Sequence, residues 1–360
     1  MPETRLMDWV WWGHGATPRM ARAALTPLEL LYRGAVKMRG TLYDVGALPA
    51  YPAPIPTLSI GNIAVGGAGK TPVAAWFAAA LADRGVHPAL VLRGYGSDEP
   101  MVHERLNPTI PVVVSPDRVA GIARAAADGA DVAVLDDGFQ HRRTQRTADV
   151  VLVNADRWSP IRRLLPAGPW REPASALRRA SLLVVTRKVA STDVADAAAR
   201  YLQRIAPHVP LARVHLAPAE LRQVRGEGTR PLETLRGMPV LAISAVADPG
   251  AFQRQLEMRG ARVRACALSD HHPFDSALAT RLAESLGAGE TAVCTLKDAV
   301  KLAPVWPRAA GPLWYVSQRL IVEQGAEAID SVLALLLGAC RTQDASQPSP
   351  AGLPAAPPLP

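Results

Sequence analysis

Cysteine is scarce in this chain. Three residues in 360, Cys266, Cys294 and Cys340, lie far apart with no paired spacing. That excludes a disulfide framework and a thiolate zinc site, and it suits a reducing, cytosolic setting. Long apolar runs are missing too: none approaches the roughly 18 to 20 residues that span a bilayer. The amino terminus lacks the basic start, apolar middle and small-residue cleavage site of an export signal, so export is not expected. Lysine is rare, confined to positions 37, 70, 188, 297 and 301, so arginine supplies most of the 40 basic residues. Such a bias is compositional, but it makes Lys70 conspicuous as a place that needs a compact ammonium rather than a planar fork.

What is present suffices for a folded protein. The length accommodates two domains, and 49% hydrophobic residues can build a packed core. The formal charge of +8 points to anionic partners: nucleic acid, an acidic membrane or a phosphorylated substrate.

Four regions can be read along the chain. Residues 1–50 mix Trp, Leu and Tyr with Arg and Lys, which suits an amphipathic helix at a membrane interface or docked on its own domain. From 51 to 222, the runs "PTLSIGNI", "PALVLRG", "IPVVVS", "DVAVLDD", "DVVLVNA" and "SLLVVTR" read as buried strands, with helices expected at 71–84 and 117–127. This alternation argues for an α/β fold with a mostly parallel sheet flanked by helices. Residues 223–340 read as a smaller α/β lobe, and the Pro- and Ala-rich stretch 341–360 as a disordered tail.

The stretch "IAVGGAGKTP" follows a strand and opens a helix, the context in which a glycine-rich loop becomes a phosphate cradle. The residues concerned are Ala64, Val65, Gly66, Gly67, Ala68, Gly69, Lys70 and Thr71. Ala64 stands where the general nucleotide-loop pattern has glycine, but the inner glycines let backbone N–H groups turn inward. In that geometry Lys70 reaches the β- and γ-phosphates of ATP and Thr71 holds Mg2+. A second strand, "DVAVLDDGFQH", ends in Asp136 and Asp137, adjacent carboxylates that repel unless a cation lies near them. They complete an expected metal set of Thr71, Asp136 and Asp137. The fold expected is therefore P-loop NTPase-like.

The motifs "GGAGKTP", "RGYG", "SDEP", "DDGFQH", "LPAGPWRE" and "TLKDAVK" occur in this order between about 57 and 301. In this the chain resembles the tetraacyldisaccharide 4'-kinases of lipid A biosynthesis. Two local departures stand out: Leu296 takes the place of a usual Glu in the last motif, and the stretch between Gly94 and Asp98 is short. The resemblance implies transfer of the ATP γ-phosphate to the 4'-hydroxyl of an acylated glucosamine disaccharide 1-phosphate. It also implies peripheral attachment to the cytoplasmic face of the inner membrane, at an anionic surface; nucleic acid is not an implied partner, and no oligomer is implied.

Phosphoryl transfer to an alcohol profits from a carboxylate that orients the hydroxyl and accepts its proton. Asp98 is the candidate, and the glycines at 94 and 96 give its loop freedom to close. The resemblance favours His271 as its partner across the lobes; a zinc site at His271 and His272 lacks a third ligand. Arg171 can hold a phosphate through two parallel hydrogen bonds, with Glu172 beside it. Glu99, Gln140, His141, Lys297, Asp298 and Lys301 are further candidates. The rival reading is a partitioning- or chaperone-type ATPase, whose deviant glycine loops look much like this one. A GTPase is disfavoured because no Asn-Lys-x-Asp element is present.

Overall fold

The computed structural model describes residues 3–94, 98–159 and 162–346, with only the backbone of 3–5 and 344–346. Gly96 lies outside the described residues, as does the tail beyond 346. Three helices open the chain: α1 (Glu3–Trp12), α2 (Ala16–Ala24) and α3 (Thr26–Asp44). The expected amphipathic helix is thus broken, at Gly15 with φ of 101° and again just before Pro27, which fits the first turn of α3.

Strands and helices then alternate: β1 (Thr57–Asn62), α4 (Lys70–Ala82), β2 (Pro88–Leu92), α5 (Asp98–Leu106), β3 (Val112–Val114), α6 (Arg118–Ala127) and β4 (Val132–Asp136). They continue with β5 (Ala148–Asn154), β6 (Leu182–Arg187), α7 (Thr192–Ile205), the long β7 (Leu211–Gln223) and β8 (Thr229–Pro231). The second lobe holds β9 (Pro239–Ser244), α8 (Pro249–Glu257), β10 (Arg262–Ala267), α9 (Ser276–Glu284), β11 (Thr291–Cys294) and α10 (Leu296–Leu302). β12 (Trp314–Gln324) and α11 (Ala326–Ser346) follow them.

All the strands join one 12-stranded sheet in the order β10-β9-β11-β12-β7-β6-β5-β1-β4-β2-β3, with β8 on β7. Its pairs are parallel except β7 with β12 and β7 with β8. Every residue of β1, β2 and β4 is buried, as expected for strands covered on both faces, which is why they read as continuous apolar runs. β1 lies between β4 and β5; its own connection runs to β2 on one side while that from β4 crosses to β5 on the other, so the strand order reverses here and a crevice opens at the carboxyl ends.

The two lobes meet through β7 and β12, the antiparallel pair that makes the sheet continuous. Helix α11 crosses back to the first lobe, where Ile329, Val332, Leu333 and Leu336 pack with Leu58, Phe77 and Val150. It runs through residues 341–346, which were expected in the tail, because the apolar face established from Ile329 onward carries the helix to Cys340 and beyond.

The amino-terminal helices dock near the crevice. Buried Glu29 accepts from the Leu164 N–H at 3.0 Å and pairs with Arg33 and Arg163. The Tyr32 hydroxyl donates to the Arg171 carbonyl at 2.9 Å. Met20, Leu28, Leu30, Leu31 and Met38 remain exposed on the outside. No described helix is long and apolar enough to cross a membrane.

Candidate active site

The loop after β1 turns at Gly66 and Gly69, with φ of 115° and 81°. Gly69 is required twice over: its conformation is left-handed, and a Cβ there would collide with Leu216 Cδ1 of β7. At Gly66 and Gly67 a Cβ would enter open space, so the cradle has room above it. Lys70 and Thr71 are the first residues of α4, whose unpaired N–H groups and dipole favour an anion.

The acidic pair lies beside this cradle because β4 runs parallel to β1, with Asp136 in register with Ile60. Gly61 permits the close approach: a Cβ on it would stand 2.5 Å from Phe139 Cβ in the turn after β4. Lys70 Nζ is 3.6 Å from Asp137 Oδ1 and 3.4 Å from Asn62 Oδ1. Asp137, in a left-handed turn with φ of 57°, also receives Arg171 Nη1 at 3.2 Å on each oxygen. Gln140 closes the ring, donating to the Asn62 carbonyl at 2.8 Å and accepting from Arg171 at 3.4 Å.

Asp136 is buried. Burial alone would raise its pKa, but the hydrogen bond and charge of His103, then Lys70 and the Thr71 hydroxyl, hold the carboxyl below its ordinary range. His103 Nε2 lies 3.0 Å from Oδ2, while Oδ1 is buried without a hydrogen bond. A buried oxygen without a hydrogen bond, on a carboxylate that also interacts with the Thr71 hydroxyl, fits a divalent cation. No group of three or more His, Cys, Asp or Glu among the described residues could hold a metal unaided, so such an ion would draw its remaining ligands from phosphate and water. Asp137 differs from the expected metal set in that both its oxygens are engaged by Arg171.

Asp98 opens α5 and is 2% exposed, facing the second lobe. His271 Nδ1 lies 3.1 Å from both its oxygens. Lys301 Nζ is 4.0 Å from Asp98, 3.6 Å from Asp298 and donates to the His272 carbonyl at 3.1 Å. Asp298, fully buried, accepts the Ala245 N–H and the Thr295 hydroxyl, fixing the base of this network. Burial, reinforced by Asp136, raises the Glu99 carboxyl despite Lys297 at 3.9 Å.

Two candidates stand apart. Glu172 is turned to Arg179 at 2.9 Å, which in turn stacks on Phe139. His141 is held neutral, its pKa pushed down to about 4 by burial and then by Arg118 and Arg146. Sequence reading missed His103 and Arg118, whose Nη2 donates to the Asp137 carbonyl at 3.2 Å. His103 lies in α5 just past the "SDEP" motif and Arg118 opens α6 outside any motif, and only the fold brings them to the acidic pair.

A glycine-loop cradle at the end of a central parallel strand, an acidic pair on the neighbouring strand and a carboxylate–histidine pair across a cleft define a P-loop phosphotransferase. The family model "Tetraacyldisaccharide-1-P 4'-kinase" matches residues 21–100 and 97–336. A tetraacyldisaccharide 4'-kinase of Anaeromyxobacter sp. (strain Fw109-5) is 43% identical, with 85% of this chain and 90% of that protein covered. One from Syntrophotalea carbinolica is 35% identical, covering 78% and 83%. The crystal structure of "apo" form LpxK from Aquifex aeolicus in complex with ATP superimposes with a TM-score of 0.69 at 27% identity, covering 88% of this chain and 99% of that one. The chain belongs to the tetraacyldisaccharide-1-P 4'-kinase family. Membership disfavours the partitioning- or chaperone-type ATPase.

Proposed function

We propose that this kinase transfers the γ-phosphate of ATP to the 4'-hydroxyl of a tetraacyldisaccharide 1-phosphate, at the cytoplasmic face of the inner membrane. The observation that carries the reading is the convergence of cradle and acidic pair, with Lys70 3.6 Å from Asp137 and Thr71 facing Asp136.

The cradle N–H groups and Lys70 bind the phosphates and stabilise charge that builds on the transferred group. Thr71 and Asp136 would hold Mg2+, which offsets phosphate charge when bound. Asp98 orients the 4'-hydroxyl and takes its proton as the new O–P bond forms and the β–γ bridge breaks, leaving ADP. His271 holds the Asp98 carboxylate from the second lobe, and Lys301 supports the same arrangement. Arg171 spans Asp137 and Gln140, a position from which its fork can turn to a phosphate oxygen. The exposed apolar residues of α2 and α3, among arginines, suit contact with an anionic leaflet.

The test is incubation with labelled ATP, Mg2+ and the acylated disaccharide 1-phosphate. A doubly phosphorylated lipid is expected; nucleotide binding without that product overturns the reading.

A further inference from the structure

His103 belongs to no motif, yet it is fully buried on α5 and touches the buried Asp136 carboxylate. Its Nε2 lies 3.0 Å from Asp136 Oδ2. An ionised carboxylate only accepts hydrogen bonds, so the shared hydrogen resides on Nε2. Nδ1 of the same ring is buried without a hydrogen-bond partner. An apolar side chain of similar volume would fill this space without leaving an unpaired nitrogen. Packing alone therefore does not account for an imidazole here.

The consequence falls on Asp136. With Oδ2 held by His103, rotation of the carboxyl group is restricted and Oδ1 is left buried without a hydrogen-bond partner. We infer that His103 is a positioning residue for the divalent-cation site, fixing the Asp136 carboxylate so that Oδ1 is presented to the ion that accompanies the nucleotide. This rests on the kinase reading above. Partners that orient a metal-binding side chain in this way typically govern 10- to 100-fold in metal affinity. The same helix starts with Asp98 and Glu99, so the contact also ties the helix bearing the proton acceptor to the strand bearing the cation ligand.

The experiment is a titration of the full chain with Mn2+ in the presence of a non-hydrolysable ATP analogue, followed by electron paramagnetic resonance of free Mn2+. His103→Leu should weaken Mn2+ binding about 10-fold or more. His103→Gln, whose amide nitrogen can take the place of Nε2, should recover most of that loss, whereas the shorter His103→Asn should not. The Gln and Asn pair keeps the comparison decisive if the Leu variant fails to fold. Equal Mn2+ affinity for Gln and Asn, or an affinity for folded Leu close to that of the parent, overturns the role of His103. A parent chain that binds the analogue but no Mn2+ overturns the cation assignment itself, and the inference with it.

Discussion

His271 Nδ1 lies 3.1 Å from each carboxylate oxygen of Asp98, a residue 173 positions earlier in the chain. His271 takes a left-handed turn with φ of 56°, a conformation histidine tolerates better than branched residues, and its N–H is anchored on the Ala245 carbonyl at 3.2 Å. Asp98→Ala should lower kcat by about 10²-fold or more with little change in the KM for ATP. His271→Ala should lower kcat less, because the carboxylate remains. Steady-state kinetics decide; near-normal turnover of the Asp98 variant removes it from the chemistry.

Lys70 touches both Asn62 and Asp137 from the start of α4. Lys70→Ala should depress kcat and raise the KM for ATP together. Lys70→Arg should restore little, since the planar fork does not replace a point charge within a closed loop. Full rescue by arginine contradicts the cradle assignment.

Asp298 carries the second-lobe side of the Asp98 network without exposure to solvent. Asp298→Ala strips Lys301 of a carboxylate 3.6 Å away and leaves the Ala245 N–H unpaired. Breaking a buried pair this way costs about 3 kcal/mol. Urea unfolding should register that loss, and a variant as stable as the parent shows the network is not structural.

His141 resists protonation until about pH 4, against an ordinary 6.5, chiefly through burial and then Arg118 and Arg146. The unfolded chain takes up this proton first, so the stabilising contribution is complete above 6.5 and is lost as pH falls toward 4. His141→Gln should therefore show a smaller decline in urea midpoint across that interval than the parent. Parallel pH curves would show the imidazole titrates normally.

The exposed leucines of α3, Leu31 at 72% among them, present an apolar face among basic residues. Leu30→Glu with Leu31→Glu should reduce co-flotation with anionic vesicles while turnover on detergent-dispersed substrate is retained. Undiminished flotation would assign membrane contact to another surface.

The strands β1, β2, β4, β5 and β6 were legible because burial writes them as short apolar runs between helices, and the edge strand β3 because its three valines keep the same pattern. β7 was not: "LARVHLAPAELRQ" breaks its buried runs with half-buried charged and polar positions and carries Pro218, tolerated opposite a register shift in β12. Asp98 was expected in a mobile loop before Pro100, yet it opens a helix in which that proline occupies the first turn, where no N–H is missed. Lys70, Thr71, Asp136 and Asp137 announced themselves by motif. His103 could not, because a single histidine in a helix gains meaning only from the strand packed against it.

The return of α11 to the first lobe has a bearing on how the protein can be divided. The polypeptide leaves the nucleotide-side core along β7 and re-enters along β12, so the His271-bearing lobe is an insert within its neighbour rather than an appendage to it. A fragment stopped at residue 222 would be a roofless body, with Leu58, Phe77 and Val150 uncovered where Leu333 and Leu336 now sit.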